Sequence, residues 1–380
     1  MLKSKLPNVG MTIFSQMSAL ANQYDAINLS QGFPSFDCDP YLKQQVNHYV
    51  NNGFNQYAPM PGMPELQQAI ADLVSNQYEL NISAAEQVTV TSGATEAIFV
   101  AIQTLVHPGD EVIIFDPAYD SYEPAIDLAG GKCVHLSLSS PDYRINWAEV
   151  ERCMTSRTTA IIINSPHNPT GSILGEEDII ALKDLLSRYD IHIISDEVYE
   201  HIVFDGQVHH SVLRYPELAE KSFVTSSFGK TFHVTGWKIG YCVTPPDLTA
   251  EFRKIHQYVT FCTLAPMQKA LADMMNKNPQ HIPGLGAFYQ HKRDVFCEHI
   301  KDSQFKLLPC HGTYFQLLDY SAISDLPDTE FCNWLTKVHK VATIPLSVFY
   351  QTPPDSRVIR VCFAKDDETL KQAAEILCQV

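Results

Sequence analysis

Two lysines, Lys230 and Lys238, lie eight residues apart in a segment with the sequence SSFGKTFHVTGWKIGY, which begins at Ser226. Lys230 follows a Phe-Gly step, where glycine allows backbone conformations that a side chain would forbid. Aromatic and apolar neighbours can desolvate such a lysine, which lowers the pKa of the amine and makes it a nucleophile toward carbonyls. Lys238 and Ser227 suit a phosphate group, because they supply a point charge and a hydroxyl donor.

Three interpretations of this segment compete. In the first, Lys230 is a Schiff-base lysine for pyridoxal 5'-phosphate (PLP), and a phosphate anchor lies beside it. In the second, the segment is a solvated turn, which is the usual environment of a lone lysine. In the third, Ser227 and Lys230 form the S-x-x-K motif of penicillin-binding serine enzymes. The S-D-N and K-T-G motifs that accompany it do not occur in the sequence, which disfavours the third interpretation.

The composition indicates a globular chain with enough apolar residues for a large core. Of 380 residues, 45% are hydrophobic and 18% are charged, and the length favours two or three domains. The net charge of -16 repels nucleic acids and anionic membranes, so we expect neither as a partner. An anionic cofactor must therefore be held by local donors.

Ten cysteines are scattered along the chain without a C-x-x-C pair, and several lie in apolar runs, as Cys362 does in VIRVCFA. Free thiols in a reducing compartment explain this pattern better than disulfides or zinc. The N-terminal residues have no apolar signal-peptide region and no run reaches transmembrane length, so we expect a cytoplasmic protein. His209 and His210 fit no metal-binding spacing, and we expect no metal.

Short apolar segments alternate with amphipathic ones through the middle of the chain. After a loop-rich region up to about residue 39, we predict helices over 41–51, 64–78, 95–106 and 176–189, and strands over 87–91, 111–115, 160–163, 191–194 and 222–225. This alternation predicts a mostly parallel sheet covered by helices on both faces. A helical region over 246–301 and an α+β region follow it.

Each predicted strand is followed by a polar break. The breaks are Ser92-Gly93, Asp116-Pro117, 164–171, Asp196 and 226–230. Ligands bind outside the carboxyl ends of the strands in open α/β sheets, so we expect these breaks to meet in one crevice.

The residues at these breaks could complete a site around Lys230. The segment from Gly93 to Thr95 leads from a strand into a helix and could bind phosphate or be a plain N-cap. Asp196 needs a partner, which could be a pyridine nitrogen or a hydrogen-bond network. Asn168 and Tyr199 could be ring-oxygen donors, or a turn and a core residue. Arg360 could bind a substrate carboxylate or form a structural ion pair. Together these groups supply every part that PLP chemistry needs.

The sequence resembles the fold-type I, PLP-dependent aminotransferases of class I/II. It is most similar to the methionine aminotransferases, near the kynurenine and glutamine transaminases. The stretches that carry the resemblance run nearly end to end and are INLSQGFPSFD, NQYAPMPG, TSGATEAI, FDPAYDSYEPAI, NSPHNPTG, ISDEVYEHI, SSFGKTFHVTGWKIGYC, GTYFQLLDYS and VIRVCFAK.

The resemblance implies an architecture. It implies a large PLP-binding domain with a mostly parallel sheet over residues 41–285 and a smaller α+β domain over 286–380. An N-terminal segment, residues 1–40, would pack on the smaller domain. It also implies a homodimer with shared active sites.

The resemblance also assigns roles to individual residues. Lys230 is similar to the Schiff-base lysine, Asp196 to the partner of the pyridinium nitrogen, and Tyr119 to the aromatic residue that stacks on the ring. Asn168 and Tyr199 resemble the donors to the ring oxygen. The phosphate site would consist of Gly93, Ala94, Thr95, Ser227 and Lys238, together with Tyr57 from the neighbouring subunit. The substrate carboxylate would be bound by Arg360, Asn168 and the N–H of Gly32.

The implied reaction is transamination of L-methionine and other large neutral or aromatic L-amino acids with a 2-oxo acid acceptor. Lys230 would move the proton from the substrate Cα. No second arginine is placed to bind a side-chain carboxylate, so we expect aspartate to be a poor substrate. A PLP-dependent β-lyase acting on cysteine conjugates is the alternative that the same residues permit. The PLP-binding half of a transcription regulator would need a basic DNA-binding segment, which the sequence does not have.

Overall fold

Helices and strands alternate through most of the computed structural model, which describes residues 3–380. The α-helices are α1 (Ile13–Tyr24), α2 (Pro40–Asn51), α3 (Pro64–Tyr78), α4 (Ala84–Gln87), α5 (Gly93–Leu105), α6 (Tyr122–Ala129), α7 (Trp147–Cys153), α8 (Glu176–Arg188), α9 (Pro216–Ala219), α10 (Phe228–Thr231), α11 (Pro246–Val259), α12 (Ala265–Lys277), α13 (His281–Ile300), α14 (Asp328–Trp334) and α15 (Asp367–Leu377). The strands are β1 (Ile27–Asn28), β2 (Val88–Thr91), β3 (Glu111–Asp116), β4 (Lys132–Ser137), β5 (Thr158–Asn164), β6 (His192–Asp196), β7 (Ser222–Ser227), β8 (Gly240–Val243), β9 (Lys306–Leu307), β10 (Phe315–Asp319), β11 (Val341–Ala342), β12 (Ile344–Pro345) and β13 (Val358–Cys362).

The central sheet has seven strands in the order β2-β8-β7-β6-β5-β3-β4. β8 runs antiparallel to both of its neighbours, and the other pairs are parallel. Side chains alternate between two apolar clusters: Val112, Ile114 and Ile162 lie in one, and Ile113 and Ile161 in the other. Because a strand presents alternate residues to opposite faces, the two clusters show that the sheet is buried on both sides. The predicted α/β class is confirmed.

The carboxyl ends of the parallel strands meet at one edge of this sheet. Asn164, the last residue of β5, is paired with Asp196, the last residue of β6, and Asp196 is paired with Thr225 on β7. α5 begins at Gly93, two residues after β2 ends. The polar segments that follow these strands therefore lie around one crevice, as predicted.

A second group of elements is formed by both ends of the chain. An antiparallel sheet has the order β12-β13-β10-β9, and α13 packs against α15. β1 from the N-terminal region pairs with β11, with Ile27 opposite Val341. The proposed boundary at 285 falls within α13, and the division into domains stays a prediction.

Three expectations for individual elements were wrong. The region before residue 39 is not irregular, because it contains α1, whose Thr12 hydroxyl accepts a hydrogen bond from the Ser15 N–H and whose Met17 and Ala21 are buried. β4 was missed because its lysine, histidine and serine residues interrupt the apolar pattern. β8 was missed because it is only four residues long and follows the lysine segment directly.

α14 continues directly into a π-helical turn, Leu335–His339. Among residues 3–380, no helix has both the length and the apolar character needed to cross a lipid bilayer.

Candidate active site

Lys230 lies in α10, a single helical turn that follows β7 directly. The Ser227 hydroxyl caps α10 by accepting a hydrogen bond from the Gly229 N–H at 3.2 Å. A Cβ on Gly229 would lie 2.9 Å from the Cα of Thr235, so only glycine fits this close approach. Burial lowers the pKa of the Lys230 amine to about 8. The turn therefore presents an amine that loses its proton more easily than an exposed lysine does.

Asp196 ends β6 and is only 4% exposed. Its Oδ2 accepts a hydrogen bond from the Tyr122 hydroxyl at 2.6 Å, and its Oδ1 accepts one from the Val198 N–H at 3.3 Å. It forms no ion pair with a basic residue of the described chain, and burial raises its pKa to about 6. A cation bound against this carboxylate would restore its ionised form.

Arg360 extends from β13 toward the same edge of the central sheet and is 1% exposed. Its Nη1 donates to Asn168 Oδ1 at 2.8 Å, and its Nη2 donates to the carbonyl of Ser30 at 3.3 Å. The guanidinium lies 3.8 Å from the centre of the Phe315 ring. Within residues 3–380 no carboxylate pairs with it, and its Nε has no hydrogen-bond partner. A buried guanidinium without a counter-ion is suited to binding an anion.

A second anion site lies at the N-terminus of α5. The Lys238 ammonium is 3.5 Å from the Thr95 hydroxyl and pairs with no acidic residue among those described. Gly93 has a φ of +77°, and a Cβ there would lie 3.2 Å from Lys238 Nζ. The helix dipole, its free N–H groups and the lysine together favour a phosphate.

Most of the predicted site residues line a single cavity. These are Ala94, Thr95, Tyr119, Asn168, Asp196, Tyr199, Ser227, Lys230 and Lys238. Gly93 adjoins the cavity beside Lys238, Arg360 adjoins it through Asn168, and the Gly32 carbonyl adjoins it through Lys230. The structure thus brings together residues that are far apart in the sequence.

Tyr57 is the one predicted cofactor residue that lies apart from this cavity. Its side chain is 85% exposed, and its ring contacts Phe261 with the ring centres 5.6 Å apart. The residue was expected to reach the phosphate of a neighbouring subunit, and this role stays a prediction.

Three residues of the site received no individual role at the level of sequence, although Asn164 belongs to the predicted polar break 164–171. Asn164 bridges the site, because its Nδ2 donates to the carbonyl of Asp196 and its Oδ1 accepts from the N–H of Asn168, both at 2.8 Å. Tyr122 donates to Asp196, and Tyr314 accepts from Lys230 at 2.8 Å. The two tyrosines lie 74 and 84 residues from their partners, so no local pattern could have revealed them.

A buried polar cluster lies next to the site along the chain. Glu197, Glu200 and His209 bring potential metal-ligand atoms within 4.8 Å of one another. The Glu197 carboxylate accepts from Ser195 and contacts His209, and the Glu200 carboxylate accepts from two tyrosine hydroxyls. Hydrogen bonds within the protein therefore satisfy both carboxylates, and the absence of a metal stays a prediction.

The site matches a specific type of molecule. A buried carboxylate without a cation suits a protonated ring nitrogen, the α5 N-terminus suits a phosphate, and an amine of lowered pKa suits an aldehyde. The buried guanidinium suits the carboxylate of a second molecule. These groups would fit PLP and an amino acid, so the fold and the site are those expected of an α/β enzyme that uses PLP.

Comparison with known proteins identifies the family within that class. Residues 24–377 match the family described as aminotransferase class I and II. The chain belongs to this family, and it is an aminotransferase. Members of the family depend on PLP.

Individual relatives cover nearly the whole chain. The methionine aminotransferase of Escherichia coli strain K12 is 51% identical over 378 residues, which are 100% of this chain and 98% of that protein. A crystal structure of YbdL from Escherichia coli, identified as having a methionine aminotransferase function, has a TM-score of 0.98 with 100% of both chains covered and 51% identity. The kynurenine–oxoglutarate transaminase of Dictyostelium discoideum is 32% identical, with 98% of this chain and 94% of that protein covered.

Proposed function

We propose that this chain binds PLP and transfers the amino group of L-methionine and other large neutral or aromatic L-amino acids to a 2-oxo acid. The observation that carries the proposal is the cavity in which a lysine of lowered pKa and a buried carboxylate without a cation lie together. The methionine preference is supported by the 51% identity to the Escherichia coli methionine aminotransferase.

The cofactor would be held by residues from both sides of the crevice. Asp196 would bind the ring nitrogen, Asn168 and Tyr199 would bind the ring oxygen, and Tyr119 would stack on the ring. The phosphate would lie at the N-terminus of α5, bound by the segment from Gly93 to Thr95 with Ser227 and Lys238. When bound, PLP supplies an electron sink that stabilises negative charge at the substrate Cα.

The protein's own groups would bind the substrate and move the proton. Arg360, Asn168 and the N–H of Gly32 would together hold the substrate carboxylate. Binding by these three groups would fix the orientation of the Cα–H bond. The Lys230 amine would then take the proton from Cα as a general base and, as a general acid, deliver it to the C4′ carbon of the cofactor. Near neutral pH its lowered pKa favours this exchange.

Side-chain selectivity is supported by the cavity beside Tyr119. Met11, Ile13 and Phe349 give it apolar walls, and Asp120 and Glu123 contribute acidic groups. Among the described residues that line it there is no lysine or arginine. We therefore expect poor activity with aspartate, because its side-chain carboxylate would find no lysine or arginine, and His135 in this cavity is already paired with Asp116. One methylene in such a cavity changes binding by only about 1–3 kcal/mol, which favours a broad range of neutral substrates.

We also propose that the protein is a homodimer and that it is located in the cytoplasm. Exposed Tyr57 would reach the active site of a partner subunit in a homodimer. Buried thiols such as Cys242, Cys332 and Cys362 favour a reducing compartment, and we propose a cytoplasmic enzyme. The net charge of -16 supports neither a nucleic acid nor a membrane as a partner.

The test is the visible absorption spectrum of the purified protein before and after excess L-methionine, with no oxo acid present. We expect a yellow band from PLP bound to Lys230, its loss on adding methionine, and its return when a 2-oxo acid is added. Lys230→Ala should lack the band and all turnover, whereas the exposed-lysine variant Lys254→Ala should retain both.

Other results would separate the alternatives. A protein that stays colourless when PLP is added contradicts the proposal. A yellow protein unchanged by methionine contradicts the substrate assignment. Release of ammonia and pyruvate from a cysteine conjugate without an acceptor would identify the β-lyase, which none of the relatives named above supports.

A further inference from the structure

The Tyr314 hydroxyl lies between the Lys230 amine and the carbonyl oxygen of Gly32. Tyr314 is fully buried, its oxygen is 2.5 Å from Gly32 O, and Lys230 Nζ lies 2.8 Å from the same hydroxyl and 3.4 Å from Gly32 O. A carbonyl oxygen can only accept, so the single phenol proton points to Gly32. The lone pairs of the Tyr314 oxygen therefore remain available to the amine.

Both acceptors of the amine are neutral. Lys230 donates to a phenol and a peptide carbonyl, and it forms no ion pair with a described carboxylate. The rings of Tyr199 and Tyr314 lie 5.5 and 5.3 Å from Nζ and give it aromatic neighbours on two sides. A carboxylate in place of Tyr314 would hold the ammonium form strongly, whereas a phenol fixes the position of the nitrogen without fixing its charge.

We propose that Tyr314 is a further catalytic residue, whose hydroxyl, oriented by Gly32 O, binds the Lys230 amine whenever that amine is free and holds it ready to exchange a proton. The inference rests on the proposed function, in which the amine must leave the cofactor and then act on the substrate Cα. Without this hydroxyl, the flexible side chain of Lys230 would retain only the more distant carbonyl as an acceptor.

Loss of the hydroxyl has two separable consequences. The amine loses an acceptor that stabilises its charged form, so the pKa of Lys230 should fall below its present value of about 8. The nitrogen also loses its fixed position, and a misplaced catalytic group reduces the rate even when its protonation is correct. A merely structural tyrosine would affect folding or the maximal rate without moving the pH dependence.

The experiment measures the rate at which the full-length, cofactor-free protein captures PLP, and the growth of the yellow band reports this rate. The rate is measured at pH values from about 6 to 10, which span the pKa of the amine. For Tyr314→Phe we expect the rate of PLP capture to reach half of its plateau value at a lower pH than in the wild type. We also expect a plateau rate reduced about tenfold, within the range that positioning of a reacting group commonly contributes. The same shift of midpoint should appear in the pH dependence of methionine turnover.

Tyr289→Phe is the matched control. Tyr289 is equally buried, its ring centre is 5.6 Å from that of Tyr314, and its hydroxyl has no hydrogen-bond partner among residues 3–380. Tyr289→Phe removes the same atom from a neighbouring ring, so the pH midpoint of this variant should equal that of the wild type. A Tyr314→Phe midpoint equal to that of Tyr289→Phe overturns the inference.

A second variant covers the case in which Tyr314→Phe does not fold. Replacing Tyr314 with 3-fluorotyrosine retains the ring and the hydroxyl but makes the oxygen a weaker acceptor. The midpoint should move to lower pH by a smaller amount, and an unchanged midpoint would count against the inference. If the wild-type protein captures no PLP at any pH, the proposed function itself is wrong.

Discussion

At the scale of single residues, the site depends on charged groups that the protein leaves without a counter-ion. Asp196 and Arg360 are both buried, and burial raises the pKa of the carboxyl group and lowers that of the guanidinium. Both shifts disfavour the charged form in the free protein. A ligand that supplies the opposite charge would therefore bind at positions where the protein has already removed water.

Tyr122 should set the proton affinity of Asp196. Its hydroxyl donates to Oδ2 at 2.6 Å, and a donor stabilises the carboxylate, so Tyr122→Phe should raise the pKa of Asp196 above its value of about 6. We expect activity to be lost as pH falls through this pKa, because in its proposed role a protonated Asp196 could not stabilise a charged ring nitrogen. The acidic limb of the pH–rate profile should therefore move to higher pH, and the maximal rate should fall about tenfold, as when one charge-assisted hydrogen bond is lost.

The control for this prediction is Tyr78→Phe. Tyr78 is also buried and donates to a carboxylate at 2.6 Å, but its partner is Glu200. Both variants lose a similar hydrogen bond, so a comparable loss of thermal stability is expected. Only Tyr122→Phe should move the acidic limb, and a shift of equal size in both variants would show that Tyr122 has no special link to Asp196.

At the scale of elements, the proposed phosphate site depends on how closely β8 approaches the start of α5. A Cβ on Gly240, the first residue of β8, would lie 2.7 Å from the Ala94 nitrogen and 2.6 Å from the carbonyl of Ser226. Backbone atoms on two neighbouring elements leave no room for it. The close contact at Gly240 therefore keeps the free N–H groups of α5 near the Ser227 hydroxyl.

Gly240→Ala should weaken PLP binding. The added methyl group must push β8 away from α5 or β7, and overpacking of this kind typically costs about 1–3 kcal/mol. We expect a lower thermal unfolding midpoint and a PLP dissociation constant raised by about tenfold, since 1.4 kcal/mol corresponds to that factor. Fluorescence titration of the cofactor-free protein with PLP measures the second quantity.

Gly236→Ala provides the comparison on the adjoining turn. A Cβ at Gly236 would meet no atom within 4 Å, and the residue is exposed. Its PLP affinity and unfolding midpoint should match those of the wild type. If Gly240→Ala binds PLP as tightly as Gly236→Ala does, the close approach of β8 to α5 is not what forms the phosphate site.

At the scale of the whole molecule, large apolar side chains lie exposed around the C-terminal end of α11. Tyr258 is 86% exposed and Leu264 is 58% exposed, while Tyr57 packs its exposed ring against Phe261 nearby. Contiguous exposed apolar groups commonly mark an interface between proteins. Tyr57, which the proposal assigns to a partner's active site, belongs to this surface, so assembly and catalysis should be linked.

Introducing charge into this surface should separate the subunits. The double variant Tyr258→Glu/Leu264→Glu should sediment as a monomer, because burying two carboxylates against an apolar partner is strongly unfavourable. It should also lose most PLP affinity, since each site would lack the partner's Tyr57. Ile180→Glu changes another exposed apolar residue, on α8, and should leave the sedimentation coefficient unchanged. A dimeric double variant would contradict the assignment of this surface.

The sequence by itself determined five of the seven strands of the central sheet and the polar residues along its edge. Apolar runs such as Glu111 to Phe115 required burial on both faces, and polar breaks after the strands predicted where Asp196 and Lys230 would lie. These predictions succeeded because each rests on neighbouring residues, through strand periodicity and the geometry of parallel strands. The motifs around Lys230 were also contiguous, so resemblance could identify them.

Only the tertiary structure decided which groups set the charge and position of these residues. Tyr122 meets Asp196, Tyr314 meets Lys230 and Gly32, and Arg360 meets Asn168 across 192 residues of sequence. The contacts of Tyr314 and Arg360 depend on how the β10–β13 sheet and the N-terminal region are placed against the central sheet, and the contact of Tyr122 depends on how α6 packs on that sheet. A tyrosine next to an apolar strand has the same local pattern whether its hydroxyl lies in the core or beside a catalytic lysine, so only the packing of distant elements distinguishes the two.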